Sequence, residues 1–228
     1  MKPMEMRILI ACEQSGIVRD AFAARGWDAW SCDMIPSGRS PYHFQGDVTQ
    51  LALSPQSWGY QRLDVVIARP PCNYHSFSGI YMTTHGMRDP NLMKEAIKFA
   101  ENLWDSPIEH VCIEDSIGVL HKLGKLGDPT QIVQLDNVEE DAGKTTCFWL
   151  KNLPRLVEPK FVQPRLVGGK RTDGGQNRLG PSETRALMRA KSLVGIAEAM
   201  ADQWTRALCR EGTVNLSAES KFCSALQL

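Results

Sequence analysis

The stretch at residues 63–72, LDVVIARPPC, decides which fold class this chain is expected to have. Residues 63–68 form a compact apolar run with β-branched side chains, which is typical of a strand buried on both faces of a parallel sheet. Pro70 and Pro71 end the strand, because proline has no N–H to donate to a neighbouring strand. The strand therefore leads directly into a loop that begins with Cys72.

Around this strand, predicted strands and helices alternate along the first half of the chain. Short apolar runs predict further strands over 7–12, 28–32, 43–48 and 109–114. Apolar residues at helical spacing predict helices over 15–25 and 91–104. This alternation indicates βαβ units, and therefore an α/β protein with a doubly wound, mostly parallel sheet.

The remaining segments are less regular. Residues 72–89 are rich in Ser, Gly, His, Tyr and Thr, which predicts a long functional loop with solvated His75 and His85. Residues 145–150 alternate like a strand, with 156–163 as a candidate partner. Helices are predicted over 182–191 and 193–209, whereas residues 210–228 carry no strong signal and are expected to form a disordered tail.

The composition is that of an ordinary globular protein. The 228 residues include 26 Lys+Arg and 26 Asp+Glu, so the net charge is zero, which argues against a generally basic nucleic-acid coat protein. This length fits one domain, which we place at residues 1–209. No apolar run approaches the ~20 residues that cross a bilayer, and a secretory signal is not expected. The seven cysteines are odd in number and lack a close CxxC pair, so we expect free thiols in the cytoplasm and no metal site.

Polar residues follow the predicted strands at the point where each strand ends. In an open parallel sheet, ligands bind beyond these carboxyl ends. The residues in question are Cys12, Glu13, Gln14, Ser15 and Gly16 after the first strand, then Asp33, Asp47, Cys72, Glu114 and Asp115 after later ones. We therefore expect a binding site along this edge of the sheet.

The first part of this edge fits a nucleoside-containing cofactor. An acid after the second strand, here Asp33, commonly holds ribose hydroxyls, and Asp47 is suited to an exocyclic amine. The first loop has Gly16 but no GxGxxG pattern, which disfavours a pyrophosphate. A cofactor without phosphates, such as S-adenosylmethionine, is therefore favoured over a dinucleotide. The alternative is that both aspartates only cap turns.

The second part of the edge fits nucleophilic chemistry. Two prolines hold the backbone stiffly before Cys72, and Arg69 nearby favours the thiolate, which is the attacking form. Glu114, at the end of the next strand, is suited to hold or protonate a ring nitrogen of a substrate. The alternative is an ordinary loop cysteine.

Several motifs together resemble those of the cytosine-C5 DNA methyltransferases. Residues 69–72, RPPC, with Phe-Ser-Gly at 77–79, resemble the catalytic loop of that family, and Glu114-Asp115-Ser116 resembles its Glu-Asn-Val motif. Residues 176–178 are similar to the start of its Gln-x-Arg-x-Arg motif, and residues 194–204 to its closing helix. The chain most resembles small phage- and prophage-encoded methyltransferase-like proteins, over residues 7–207.

The resemblance implies a Rossmann-like class I fold, S-adenosylmethionine as cofactor, and DNA with a flipped cytosine as substrate in a bacterial cytoplasm. The catalytic residues it implies are Cys72, Glu114 and Arg178. The cofactor-binding residues are Cys12, Glu13, Ser15, Gly16, Asp33, Met34, Asp47, Val48 and Pro70. The substrate-binding residues are Pro71, Ser78, Gly79, Asp115, Lys170, Arg171 and Gln176.

The sequence also departs from the family's pattern. Asp115 stands where the family has Asn, which predicts two adjacent carboxyls, one with a raised pKa. The first motif is not glycine-rich, and Gly180 replaces a second arginine. Residues 117–181 allow only a small, irregular substrate-side insertion in place of a target-recognition domain. Two alternatives therefore stay open: the same chemistry on a free pyrimidine nucleotide, or a non-catalytic binder of nucleic acid or cofactor.

Overall fold

A computed structural model describes the larger part of the chain, namely residues 6–37, 40–54, 56, 62–134, 145–157, 166–167, 170–171 and 194–223. Its strands are β1 (Arg7–Ala11), β2 (Asp28–Asp33), β3 (His43–Gln45), β4 (Val65–Ala68), β5 (His110–Ser116), β6 (Gln131–Gln134), β7 (Thr145–Lys151), β8 (Leu166–Val167) and β9 (Lys170–Arg171). Its helices are α1 (Ile17–Ala23), α2 (Val48–Leu53), α3 (Phe77–Thr84), α4 (Pro90–Trp104), α5 (Leu120–Leu123) and α6 (Val194–Cys223).

Seven strands form one sheet in the order β3-β2-β1-β4-β5-β7-β6. The first five strands in this order run parallel to one another, whereas β7 is antiparallel to both β5 and β6. The predicted α/β fold with a doubly wound, mostly parallel, Rossmann-like sheet is therefore confirmed. Because the parallel strands share one direction, their carboxyl ends meet along one edge.

Helices cover both faces of this sheet. Side chains alternate between the two faces along each strand, so a strand that is apolar throughout needs cover on both faces. On one face, Ile8 and Ile10 of β1 belong to a core with Phe22 of α1 and Trp204 of α6. On the other face, Leu9 packs in a second core that includes residues of α2, α4 and α5. Truncating a fully buried aromatic such as Phe22 to Ala is expected to cost about 3–5 kcal/mol.

Two local predictions in the first half are wrong. Residues 72–89 are not one long loop, because they contain α3, whose first turn Ser76 caps by accepting a hydrogen bond from the Gly79 N–H (3.4 Å). The strand predicted over 43–48 ends at Gln45, because the Asp47 carboxylate accepts from the Thr49 N–H and starts α2 at Val48.

In the second half, the partner of β7 differs from the prediction. β7 pairs with β6, whereas Leu156 and Val157 lie outside any strand, and 158–163 lie outside the described residues. Leu156 still contacts β6, because its N–H and C=O bond the side-chain amide of Gln131 (2.8 and 2.7 Å). Both β6 and β7 fall within 117–181, so this range contributes to the main sheet and is not only an irregular insertion.

The buried residues of the final helix lie within the range where the sequence predicts a helix. Ile196, Met200 and Trp204 recur at helical spacing and are buried, as the helix predicted over 193–209 requires. The helix α6 continues to Cys223, past the predicted end at residue 209. The helix predicted over 182–191 lies outside the described residues.

Candidate active site

A cavity of about 420 Å³ lies at the carboxyl ends of the strands. The loops after β1, β2 and β3, the turn after β4, and one side of α4 form its wall. The residues that line it are Cys12, Cys32, Asp33, Met34, Gly46, Asp47, Val48, Pro71, Tyr74, Leu92, Glu95, Ala96 and Phe99. This volume falls in the range of small-molecule sites, which are mostly apolar with a few placed polar groups.

Five of the predicted cofactor residues lie on this wall: Cys12, Asp33, Met34, Asp47 and Val48. The two aspartates also cap turns, since Oδ1 of Asp33 accepts from the Ile35 N–H (3.0 Å) and Oδ1 of Asp47 from the Thr49 N–H (2.8 Å). Both aspartates therefore cap turns and also lie on the cavity wall. Each carboxylate has a second oxygen with which it can accept a hydrogen bond from a ligand.

Three other predicted cofactor residues have a structural role instead. Glu13 is buried, and its carboxylate accepts from the N–H groups of Val18 (2.8 Å) and Arg19 (3.2 Å) at the start of α1. Ser15 is buried too and donates to the same carboxylate (3.2 Å). Gly16 has a positive φ of 72°, and a Cβ there would lie 2.1 Å from the Arg19 guanidinium. None of the three is among the residues that line the cavity: the Glu13 and Ser15 side chains lie at the start of α1, and Gly16 lies against Arg19.

Glu13 also explains what kind of ligand the first loop can take. Phosphates bind at helix N-termini through the unpaired backbone N–H groups. Here a protein carboxylate already accepts from two of those groups. Burial raises the pKa of Glu13, while the two backbone hydrogen bonds lower it. Because the Glu13 carboxylate already accepts from these N–H groups, the α1 N-terminus is not available to a pyrophosphate.

The cavity wall is acidic and carries no basic side chain among the residues that line it. Asp33, Asp47 and Glu95 contribute three carboxylates. Burial raises the pKa of the Cys12 thiol, and burial together with Asp33 and Asp47 raises that of Cys32 to about 12. Both cysteines are therefore neutral thiols, and the wall suits a neutral or cationic ligand better than a phosphate.

The turn after β4 joins this cavity to the candidate nucleophile. Pro71 lines the cavity, and Cys72 follows it with a partly exposed thiol. The Ser76 N–H donates to the Cys72 carbonyl (3.0 Å), which closes one helical turn before α3. Pro70, predicted to bind the cofactor, is buried and is not among the residues that line the cavity.

Glu114 lies at the end of β5, on the strand next to β4. It is 6% exposed, with Arg69 Nε 2.6 Å from Oε2 and the Thr146 hydroxyl donating to Oε1 (2.5 Å). Arg69 was expected to serve the Cys72 thiol, and the structure pairs it with Glu114 instead. Burial lowers the pKa of Arg69 while Glu114 and Glu13 raise it, with a net rise, so the guanidinium stays charged.

Asp115 pairs with His75, which corrects the prediction made for that histidine. His75 is 0% exposed and its Nε2 bonds Oδ2 of Asp115, so it is not a solvated loop histidine. His85, by contrast, is exposed as predicted. Glu114 and Asp115 are adjacent along a strand, where successive side chains point to opposite faces, so each carboxylate has its own basic partner.

The other predicted substrate residues are only partly placed. Ser78 and Gly79 lie in the first turn of α3, where a Cβ on Gly79 would come within 2.4 Å of the Asn73 carbonyl. Lys170 and Arg171 form the short strand β9, which pairs with β8 apart from the main sheet. Gln176 and Arg178 lie outside the described residues.

The sequence reading missed the part of the wall that α4 supplies. Leu92, Glu95 and Phe99 line the cavity at a spacing of three and four residues, beside the buried stripe of α4. That spacing is visible in the sequence, but it does not show which side of an amphipathic helix faces a ligand. Tyr74 was missed because it belongs to the same turn as Cys72, for which no local pattern existed.

Neither a membrane-spanning helix nor a metal site occurs in the part of the chain that the structure describes. No helix there has the length and apolar character that crossing a bilayer requires. No cluster of three His, Cys, Asp or Glu side chains in the same ranges could hold an ion. Free thiols occur at Cys12, Cys32, Cys72, Cys112, Cys147 and Cys209.

Fold and site together define a Rossmann-like α/β protein with a ligand cavity and a cysteine turn at one edge of its sheet. No protein-family model and no curated protein matches the sequence. Among solved structures, it is similar to a "putative DNA modification methyltransferase" encoded within a prophage of E. coli, with 16% identity and a TM-score of 0.48. The match covers 70% of this chain and 52% of that one, so the chain spans about half of that protein's length.

Proposed function

We propose that this protein transfers a methyl group from S-adenosylmethionine to C5 of a cytosine in DNA, with Cys72 as covalent nucleophile. The observation that carries the proposal is the position of Pro71 and Cys72. Pro71 lines the cavity, and Cys72 comes next in a turn tied to the strand of Glu114. A cofactor in the cavity and a base beside Glu114 would therefore meet at this turn.

The cavity supports S-adenosylmethionine as the cofactor. Asp33 is the last residue of β2, the position from which an acid commonly accepts from ribose hydroxyls. Apolar side chains such as Val48 and Phe99 offer a surface for an adenine ring. The acidic wall, and the α1 N-terminus filled by Glu13, favour a cationic, phosphate-free cofactor over a dinucleotide.

When bound, S-adenosylmethionine supplies an electrophilic methyl group on a sulfonium. The chain's own residues make the cytosine reactive. The Cys72 thiolate adds to C6 of the ring, which turns C5 into a nucleophilic carbon. Glu114, whose carboxylate is held in place by Arg69 and Thr146, is assigned to the ring edge. Loss of the C5 proton and departure of Cys72 then restore the aromatic ring.

DNA as the substrate is supported by the charge of one segment, and it requires base flipping. A cytosine inside a duplex cannot reach the Cys72 turn, so it would have to be flipped out of the stack. Basic residues outnumber acidic ones between 160 and 191 although the whole chain is neutral. Such a segment is suited to hold phosphates near the flipped base.

The test is methyl transfer from tritiated S-adenosylmethionine to duplex DNA and, separately, to free cytidine nucleotides. We expect label in DNA cytosine with the wild-type protein and none with Cys72→Ala or Cys72→Ser. Label in the free nucleotides alone would replace DNA by a nucleotide pool as substrate. Binding of S-adenosylmethionine without label in any acceptor would contradict an enzymatic role.

A further inference from the structure

The turn that carries Cys72 is tied to β5 on both sides of the cysteine. Arg69, three positions before it, pairs with Glu114, and His75, three positions after it, pairs with Asp115. The first pair contains a residue that the proposed chemistry uses. The second pair has no part in that chemistry, and its burial needs an explanation.

Both members of the second pair are withdrawn from water, with His75 0% and Asp115 3% exposed. Burying a carboxylate is costly unless donors meet it on every side. Asp115 satisfies this condition: Oδ2 bonds His75 Nε2, while Oδ1 accepts from the Ser116 N–H (2.6 Å) and hydroxyl (3.4 Å). The pair is therefore a built hydrogen-bonded unit.

The other ring nitrogen of His75 identifies the tautomer. Nδ1 is buried and has no hydrogen-bond partner in the described part of the chain. Buried N–H groups without an acceptor are rarer than acceptors with an unused lone pair. The hydrogen-bond pattern therefore places the ring proton on Nε2, which donates to Asp115. An amide at position 115 would offer one oxygen where the His75 Nε2–H and the Ser116 N–H require two acceptors.

Backbone contacts continue the same attachment. The Val119 N–H donates to the His75 carbonyl (2.9 Å), and Ser76 forms a β-bridge with Gly118. A Cβ on Gly118 would lie 2.2 Å from that carbonyl, so only glycine permits the approach. The turn at 72–76 is thus docked against the segment that follows β5.

We propose that His75 and Asp115 are a positioning pair, which fixes the Cys72 turn against the strand that carries Glu114. The inference rests on the proposed function only where it calls Cys72 the nucleophile. It also gives a reason for the acid at position 115, where the resembling family has Asn: the acid is the partner of a buried histidine. Asp115 is then not a sign of a lost active site.

One variant removes the hydrogen bond, and a matched control makes the same exchange elsewhere. His75→Phe keeps a ring of similar size and removes the Nε2–H donor, whereas His85→Phe makes the same substitution at an exposed histidine. We expect His75→Phe to lower kcat by about 10²-fold with an unchanged KM for DNA, because a misplacement of about 1 Å has that effect. His85→Phe should stay near the wild-type kcat. If His75→Phe does not fold, Asp115→Leu removes the acceptor instead.

A second readout needs neither DNA nor cofactor. The rate at which iodoacetamide alkylates Cys72, followed by mass spectrometry of its peptide across neutral pH, reports how the turn presents the thiol. We expect a severalfold faster rate in His75→Phe, because the half-buried thiol gains exposure, and a wild-type rate in His85→Phe. If the two variants differ in this way but the protein methylates no DNA, the pair is supported and the proposed function is refuted. Wild-type kcat and alkylation in a folded His75→Phe, or equal changes in His85→Phe, would overturn the pair.

Discussion

The two halves of the strand-end edge use their carboxylates differently. In the half formed by β1, β2 and β3, Asp33 and Asp47 line the cavity, and each accepts one backbone N–H. In the half formed by β4 and β5, Glu114 and Asp115 are buried and each is paired with a basic side chain. The first half leaves its carboxylates on the wall of a cavity, whereas the second half pairs each carboxylate with a basic side chain.

This difference fits a two-substrate reaction. A small cofactor needs polar groups that accept hydrogen bonds from it, so its acids stay accessible. A covalent nucleophile needs a fixed position, so the residues around it are tied down by hydrogen bonds. If this contrast is real, variants in the two halves should fail in different assays.

The largest expected effect is that of Cys72→Ala on methyl transfer. We expect a loss of at least about 10³-fold, since the covalent route disappears. Cys209, also a partly exposed free thiol, lies in α6 and provides the control. Initial rates with labelled cofactor should fall for Cys72→Ala and not for Cys209→Ala. Equal rates for the two variants would remove Cys72 from the mechanism.

Next in size is the effect of Arg69→Met on stability. Glu114 would remain buried without its ion-pair partner, which is expected to cost about 3 kcal/mol of unfolding free energy. Arg25→Met is the control, because Arg25 pairs with the exposed Glu198 and such pairs contribute about 0–1 kcal/mol. Urea unfolding measures both. A cost for Arg69→Met as small as that for Arg25→Met would mean that the second half is not held by this pair.

A smaller effect separates ligand binding from helix capping. Asp47 and Asp89 each cap a helix through Oδ1, and replacing either by Ala should cost about 1 kcal/mol of stability. Asp47 alone lines the cavity, so Asp47→Ala should also weaken S-adenosylmethionine binding about tenfold, as loss of one polar contact does. Calorimetric titration tests this. An unchanged Kd for Asp47→Ala would leave only the capping role.

The smallest effect concerns pH and Glu13. Burial raises its pKa in the folded state, so the folded protein binds the proton more tightly than the unfolded chain does. Its contribution to stability is therefore complete below the ordinary carboxyl pKa of about 4.5 and declines as pH rises through the folded value. The stability of wild type relative to Glu13→Gln should fall from acid to neutral pH in urea unfolding series. A relative stability that rises with pH would mean that the hydrogen bonds from Val18 and Arg19 outweigh the burial of the carboxylate.

The sequence could predict those features whose signals lie in short stretches of residues and in the order of those stretches. The run in β4 and the alternation around it predicted the sheet, because burial on both faces leaves an apolar strand. The pairs Asp33 with Asp47 and Cys72 with Glu114 were expected on one edge, because the ends of parallel strands converge there. Both inferences need only the order of elements along the chain.

The rest depended on contacts between distant residues. His75 and Asp115 are 40 residues apart, and only the register of the folded turn against β5 shows that they meet. β6 has just two apolar residues in QIVQ, so its pairing with β7 had no pattern of its own. Glu13 follows a strand like a ligand-binding residue, yet its carboxylate folds back onto α1.

The central claim is tested most directly on duplex DNA that carries 5-fluorocytosine, in the presence of S-adenosylmethionine. Fluorine at C5 cannot leave as a proton does, so the adduct between the enzyme and the base persists. We predict a covalent complex in which the peptide containing Cys72 is joined to the DNA, absent from Cys72→Ala. Methylation of ordinary cytosine without any such complex, or a complex through another cysteine, would contradict the account.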